Sequence, residues 1–182
     1  MIFEEKSVTL KNNEKCILRN ARIEDAEDLI QYLKTTAQET PYLVREPEEI
    51  KITLEQERKF IQSKIEEERE LMLIATVAGR HVGNCSLMCM GNNQRYRHRC
   101  GVAIALYQEY CGKGIGRLML QTILDVAKSC GFEQAELEVV TTNIKAISLY
   151  LSLGFQIYGT FPNNMKYKDG TYADTYWMAK RL

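Results

Sequence analysis

Tyr110-Cys111-Gly112-Lys113-Gly114-Ile115-Gly116-Arg117-Leu118 decides how this chain is read, because three alternating glycines open an amphipathic helix directly after an apolar run. Without Cβ atoms, such a turn lets backbone N–H groups approach a ligand closely, and the unpaired donors and positive dipole end of the following helix favour an anion. The preceding run, Val102-Ala103-Ile104-Ala105-Leu106, is short and apolar enough to be a buried strand, so the loop has the strand–loop–helix setting that phosphate binding requires. Two familiar phosphate motifs fail on spacing. The Walker pattern needs four residues between its first glycine and Gly-Lys-Ser/Thr, and the dinucleotide fingerprint needs its third glycine three positions after the second. The candidate ligand group is therefore another phosphate, such as a pyrophosphate. A turn that merely lets strand and helix pack is the alternative reading of the loop.

With 182 residues and 45% hydrophobic composition, the chain fits one globular domain, 1–182, in which 1–15 reads as an N-terminal extension. Lys plus Arg and Asp plus Glu balance at 24 each, so no global field draws the protein to nucleic acid or an anionic membrane. The six cysteines form no Cys-x-x-Cys pair, and the N-terminus has no basic-then-apolar leader; both features read as reduced thiols in a cytoplasmic protein. His81 and His98 lie in polar stretches without companion ligands, so they read as surface histidines and no metal site is expected. No apolar run approaches the roughly 20 residues that span a bilayer.

Along the chain, Cys16-Ile17-Leu18-Arg19 predicts a first strand, and Asp25 predicts the start of a helix with Ala26, Leu29, Ile30 and Leu33 on its apolar face. Thr53 and Gln56 resemble a capping box opening a solvated helix to about Arg69, with Phe60, Ile61 and Ile65 at helical spacing. Leu71–Val77 and Val82–Met90 read as strands joined through Ala78-Gly79-Arg80-His81. After the glycine loop a long helix ends at the C′ glycine Gly131, followed by a strand at 135–140, a helix at 143–153, a strand opening at Gly154-Phe155 and a last strand at 172–180. This order implies an α/β or α+β domain with a central mixed sheet.

The order of apolar strand, Gly112-Lys113-Gly114-Ile115-Gly116-Arg117 helix, Leu137-Glu138-Val139 strand, Asn143-to-Tyr150 helix and Leu153-Gly154-Phe155 turn resembles the GNAT superfamily of acyl-CoA-dependent N-acetyltransferases. Arg19-Asn20-Ala21-Arg22 with Asp25-Ala26 is similar to the superfamily's opening strand and helix, so the resemblance spans about residues 16–181. It implies a single domain with a mostly antiparallel twisted sheet, splayed between its two middle strands and flanked by helices. It also implies that Ile104, Ala105 and Leu106 border the pantetheine arm of acetyl-CoA, with Ile104 and Leu106 offering backbone groups, and that Gly112 to Arg117 hold the pyrophosphate. Lys113 and Arg117 add charge that agrees with the dipole reading, or are ordinary exposed cations. The superfamily usually has Gln or Arg where this chain has Cys111, which puts one side-chain contact in doubt without removing the site.

Asn143 is an N-cap by residue preference and, by resemblance, a ligand to acetyl-CoA. Tyr150 resembles a tyrosine that donates a proton to the departing CoA thiolate; otherwise it is a buried aromatic packed with Ile147 and Leu151. Glu138 resembles a glutamate that takes the proton of the acceptor amine, directly or through water, or it is a solvated strand carboxylate. The implied activity is acetyl transfer from acetyl-CoA to a primary amine by direct attack in a ternary complex. A small amine is preferred as acceptor because the 169–178 tail resembles the small-molecule branches, in which dimers are frequent. The alternatives are an acetyltransferase of protein N-termini, as on ribosomal proteins, and a non-catalytic acyl-CoA-binding module. Residues 39–53, 91–97 and 161–172 are the segments that would select the acceptor.

Overall fold

The computed structural model describes all residues, 1–182. Eight strands form one open sheet: β1 (Lys6–Thr9), β2 (Lys15–Asn20), β3 (Leu71–Val77), β4 (Arg80–Cys89), β5 (Arg99–Leu106), β6 (Gln134–Val140), β7 (Gln156–Lys166) and β8 (Tyr172–Arg181). Four helices flank it: α1 (Ala26–Glu39), α2 (Leu54–Glu66), α3 (Ile115–Ser129) and α4 (Ile144–Ser152). The strand order is β1-β2-β3-β4-β5-β6-β8-β7, antiparallel throughout except for the β5–β6 pair.

Alternation along the strands separates two apolar layers. Leu71, Leu73, Leu87, Cys100, Val102, Leu137 and Val139 pack with Ile115, Met119, Leu120 and Ile123 of α3 and with Ile147 and Tyr150 of α4. On the other face Met72 and Ile74 meet Ala26 and Leu29 of α1 and Ile61 of α2. Each fully buried Leu or Ile here contributes about 1.5–3 kcal/mol.

Local chemistry sets the element ends. Thr53 and Gln56 form the reciprocal capping box of α2, and Gly131, at φ +77°, follows the Cys130 C-cap of α3. α2 stops at Glu66, three residues short of the expected Arg69, and of its three apolar positions only Ile61 is fully buried while Phe60 stays exposed. The β3–β4 hairpin turns on Ala78 and Gly79 alone, both at positive φ as a two-residue hairpin demands, so Arg80 and His81 belong to β4. β1 pairs with β2 inside the segment read as an extension. On α1 the buried face carries Tyr32 and Thr36 beside Ala26 and Leu29, while Ile30 and Leu33 are only half-buried. Asp25 sits at the N-cap of α1, but its carboxylate is engaged by Arg19 at 2.6 and 2.8 Å instead of capping the helix.

Candidate functional site

The glycine loop places a row of free donors at the start of α3. Gly114 is the N-cap at φ +87°, Gly112 lies at φ +79°, and the space where either Cβ would stand is open. Leu118 N–H closes the first helical bond onto the Gly114 carbonyl at 3.1 Å. The N–H groups of Gly112, Lys113, Gly114, Ile115, Gly116 and Arg117 donate to nothing within the chain. Helix geometry accounts for the last of these; the left-handed glycines bring the others alongside them. Gly116 lies where α3 meets its neighbours: a Cβ there would stand in ordinary contact, 3.4 Å from Leu149 of α4 and 3.5 Å from Leu106 of β5. Lys113 stacks over the Tyr110 ring at 4.5 Å, and Arg117 donates to Ser152 Oγ at 2.6 Å, so both cations are held near the loop.

Beside the loop the sheet opens. β5 and β6 pair only from Arg99 to Gly101 against Gln134 to Glu136, and beyond that they part. The Arg99 guanidinium grips Glu136 through Nε and Nη2 at 2.5 and 2.7 Å across this closed end, and the ion pair holds the Glu136 carboxyl below its ordinary value. Hydrogen-bond alternation fixes what lines the opening. Tyr107 N–H bonds the Val82 carbonyl and Met90 N–H the Arg99 carbonyl, so in this register Ala103 and Ala105 address β4 while Ile104 and Leu106 turn their N–H and C=O groups into the gap. By the same alternation, with Thr141 N–H on the Asp174 carbonyl, Glu138 and Val140 of β6 face the gap. The result is a cleft between two strand edges, with the α3 N-terminus at its mouth.

Tyr150 and Glu138 flank the cleft from opposite faces of the sheet. Tyr150 is buried in the α3–α4 layer, edge-on to Phe155 with ring centroids 6.0 Å apart, and Leu151 points to solvent instead of packing with it. Its hydroxyl has no partner within the chain, yet it is not sealed off: the sole fully occluded and unpartnered polar side-chain atom is His81 Nδ1. Burial, with a smaller effect from Cys85, pushes the Tyr150 phenol well above its ordinary value, and Cys85 is the register partner of Ile104. Glu138 is exposed on the α1 face, where Trp177 Nε1 donates to its carboxylate at 3.1 Å and Asn164 Nδ2 donates to the other oxygen. Asn143 caps α4, its Oδ1 accepting Ala146 N–H at 3.3 Å while its Nδ2 donates to nothing in the chain.

Comparison with known proteins agrees with this geometry. A family model described as Acetyltransferase (GNAT) family matches residues 26–155. The chain belongs to the GNAT acetyltransferase family. Among solved structures, the acetyltransferase of GNAT family from Streptococcus pneumoniae superposes with a TM-score of 0.87 at 26% identity, over 92% of this chain and 99% of that one. yncA of Salmonella typhimurium, solved with its cofactor acetyl-CoA, superposes with a TM-score of 0.80 at 19% identity, over 92% and 94%. N-acetyltransferase 8B of Rattus norvegicus is 32% identical over 65 residues, 36% of this chain and 29% of that protein. The chain spans at most half the length of the curated relatives it matches.

In this GNAT chain the loop follows the free edge of β5, and Asn143 and Tyr150 belong to the α4 segment that follows β6 on the other side of the gap. His81 corrects the surface reading: it is 6% exposed, wedged between Tyr32 and Tyr107, with Nε2 2.6 Å from Asn84 Oδ1. Burial lowers its pKa, so it sits neutral beneath α1. Tyr32, which reaches the Ala105 carbonyl of β5 at 2.7 Å, escaped sequence reading altogether. Its only signal was an aromatic three residues after Leu29 on the buried side of α1.

Proposed function

We propose that this chain is an N-acetyltransferase that moves the acetyl group of acetyl-CoA to a primary amine by direct attack, with both substrates bound together. The observation that carries the reading is the unbroken run of unpartnered N–H groups from Gly112 to Arg117 at the mouth of a cleft with free strand edges. Such a row fits a pyrophosphate, since oriented amides and the helix dipole act on the same anion. Ile104 and Leu106 fit the amide-bearing pantetheine arm, which an open strand edge can take up as an added strand. When bound, acetyl-CoA supplies the acyl group activated as a thioester. Asn143 Nδ2 would bind the same cosubstrate.

The faces of the cleft divide the proton work. Glu138 would accept the proton of the incoming ammonium, directly or through water, because nitrogen attacks only with a free lone pair. Trp177 and Asn164 hold its carboxylate oriented for that task. Tyr150, on the opposite face and kept protonated by burial, would donate to sulfur as the thiolate departs. No step calls for a covalent acetyl-enzyme. The preferred acceptor is a small amine: Lys168 of the β7–β8 turn pairs with Glu46 and Glu48 of the α1–α2 segment, which ties together two of the segments that would select the acceptor and favours a compact substrate over a folded protein terminus. A reducing cytoplasm suits the free cysteines.

Calorimetric titration tests the reading. Acetyl-CoA should bind saturably, acetylpantetheine without the pyrophosphate should bind far more weakly, and Gly114→Val should abolish binding by distorting the loop. An acceptor amine should then release free thiol from acetyl-CoA. Absence of binding by the wild type overturns the reading; binding without thiol release across a panel of small amines and N-terminal peptides leaves an acyl-CoA-binding module instead.

A further inference from the structure

Tyr32 reaches from α1 into the heart of the sheet. Its hydroxyl accepts Asn84 N–H of β4 at 3.3 Å and donates to the Ala105 carbonyl of β5 at 2.7 Å. Asn84 and Ala105 are register partners, and the alternation described above makes them a pair whose backbone groups point at each other. The phenol therefore bonds both groups of one ladder pair. Its surroundings fix it there. The His81 ring lies 4.7 Å from it and the Tyr107 ring 5.3 Å, and His81 Nε2 in turn meets Asn84 Oδ1. The register of β3 against β4 slips at Ala75/Thr76, leaving Val82 as an extra residue, and this bulge turns His81 under α1. Gly83 follows because a Cβ there would stand 2.9 Å from the Ala105 oxygen.

The consequence lies on the other side of the strand. The Ala105 carbonyl and the Leu106 N–H belong to one rigid peptide plane and point in opposite directions. A hydrogen bond that anchors the carbonyl therefore aims the N–H into the cleft, and polarising the carbonyl strengthens the N–H as a donor. We propose that Tyr32 is a positioning residue: by holding the Ala105 carbonyl it aims the Leu106 N–H at a carbonyl oxygen of the acyl-pantetheine arm. This rests on the acetyl-CoA reading above, and it makes α1, on the acceptor's face, a determinant of cosubstrate affinity.

The test compares two ligands on the wild type and Tyr32→Phe, which keeps the ring against His81 and Tyr107 and removes only the hydroxyl. The probes are acetyl-CoA, which spans loop and strand, and 3′-phosphoadenosine 5′-diphosphate, which lacks the arm. Acetyl-CoA should bind roughly five- to tenfold more weakly to the variant, the effect of one net hydrogen bond, with 3′-phosphoadenosine 5′-diphosphate affinity unchanged. Unchanged affinity for both overturns the inference. Equal loss for both also overturns it, because the hydroxyl then supports the fold and not the strand edge. A wild type that binds neither ligand overturns this inference together with the function it rests on.

Discussion

Tyr150 carries two demands at once, since the ring fills the α3–α4 layer while its hydroxyl stays unpartnered within the chain. Tyr150→Phe preserves the packing and deletes only the hydroxyl that would donate the proton. Turnover should fall about a hundredfold with acetyl-CoA affinity unchanged, as expected of a lost general acid, read from steady-state thiol release beside calorimetry. A drop in affinity with turnover intact would place Tyr150 in binding instead. Cys111 makes the contrasting case. It is exposed in the loop, its sulfur 3.7 Å from the Tyr107 carbonyl, and partial burial pushes its thiol up, away from the thiolate a nucleophile needs. Cys111→Ala should leave turnover within about twofold of wild type, the range of an ordinary surface substitution; a collapse of activity with binding retained would revive a thiol mechanism. At this scale the sequence was legible wherever function depends on neighbours in the chain, as in the glycine loop and the Asn143 cap. Tyr32 and His81 were not, because their partners, Ala105 and Tyr107, lie far along the chain and meet them only through a bulge that periodicity does not announce.

Elements show the same division. The Thr53 capping box, the Gly131 stop and the α4 N-cap are local and were readable from residue types at fixed offsets. β1 was not, because its four residues carry mixed polarity and are held by pairing with β2 at the sheet edge. The α2 boundary erred in the other direction, since Glu68 and Arg69 favour helix past the point where Glu67 turns extended. Between elements, Arg99 and Glu136 tie β5 to β6 where the cleft closes. Glu136→Gln should cost about 1–3 kcal/mol in urea unfolding at pH 7, discounted from a fully buried pair because Arg99 is partly exposed. The carboxyl is held below its ordinary 4.5, chiefly by its hydrogen bonds to Arg99, so the contribution is full above that value and fades as pH falls through the lowered one. Wild type and variant should therefore converge in stability on acidification; a gap that does not narrow as pH falls below 4.5 would assign the loss to packing, not charge.

At the scale of the whole molecule, what the sequence left unread was the order of the strands. Alternation identified strands without saying that β6 would leave β5 after three residues and take β8 as its long partner, which is what opens the cleft. The resemblance to the acetyltransferase superfamily supplied the splay between the middle strands, which the short β5–β6 pairing matches, and named no partner for β6. A cleft with unpaired edges is also a weak point, because the free N–H and C=O groups of Ile104, Leu106 and Glu138 and the donors of the loop find partners only in solvent or ligand. A ligand that bridges both should thus stabilise the fold as a whole. At about 100 times its dissociation constant, acetyl-CoA should add about 2.7 kcal/mol, which for a domain of this size raises the melting temperature by about 5–11 °C. Differential scanning calorimetry across a concentration series should show a shift that keeps growing with the logarithm of ligand concentration, as mass action requires, and 3′-phosphoadenosine 5′-diphosphate should give a smaller one. Gly114→Val should melt within a few degrees of the wild type, since its cost of about 1–2 kcal/mol is conformational strain at a left-handed position that opens onto free space, and it should lose the ligand-induced shift. A variant that still shifted with acetyl-CoA would mean that the strand edges alone hold the ligand and that the glycine loop serves only to seat α3 against the sheet.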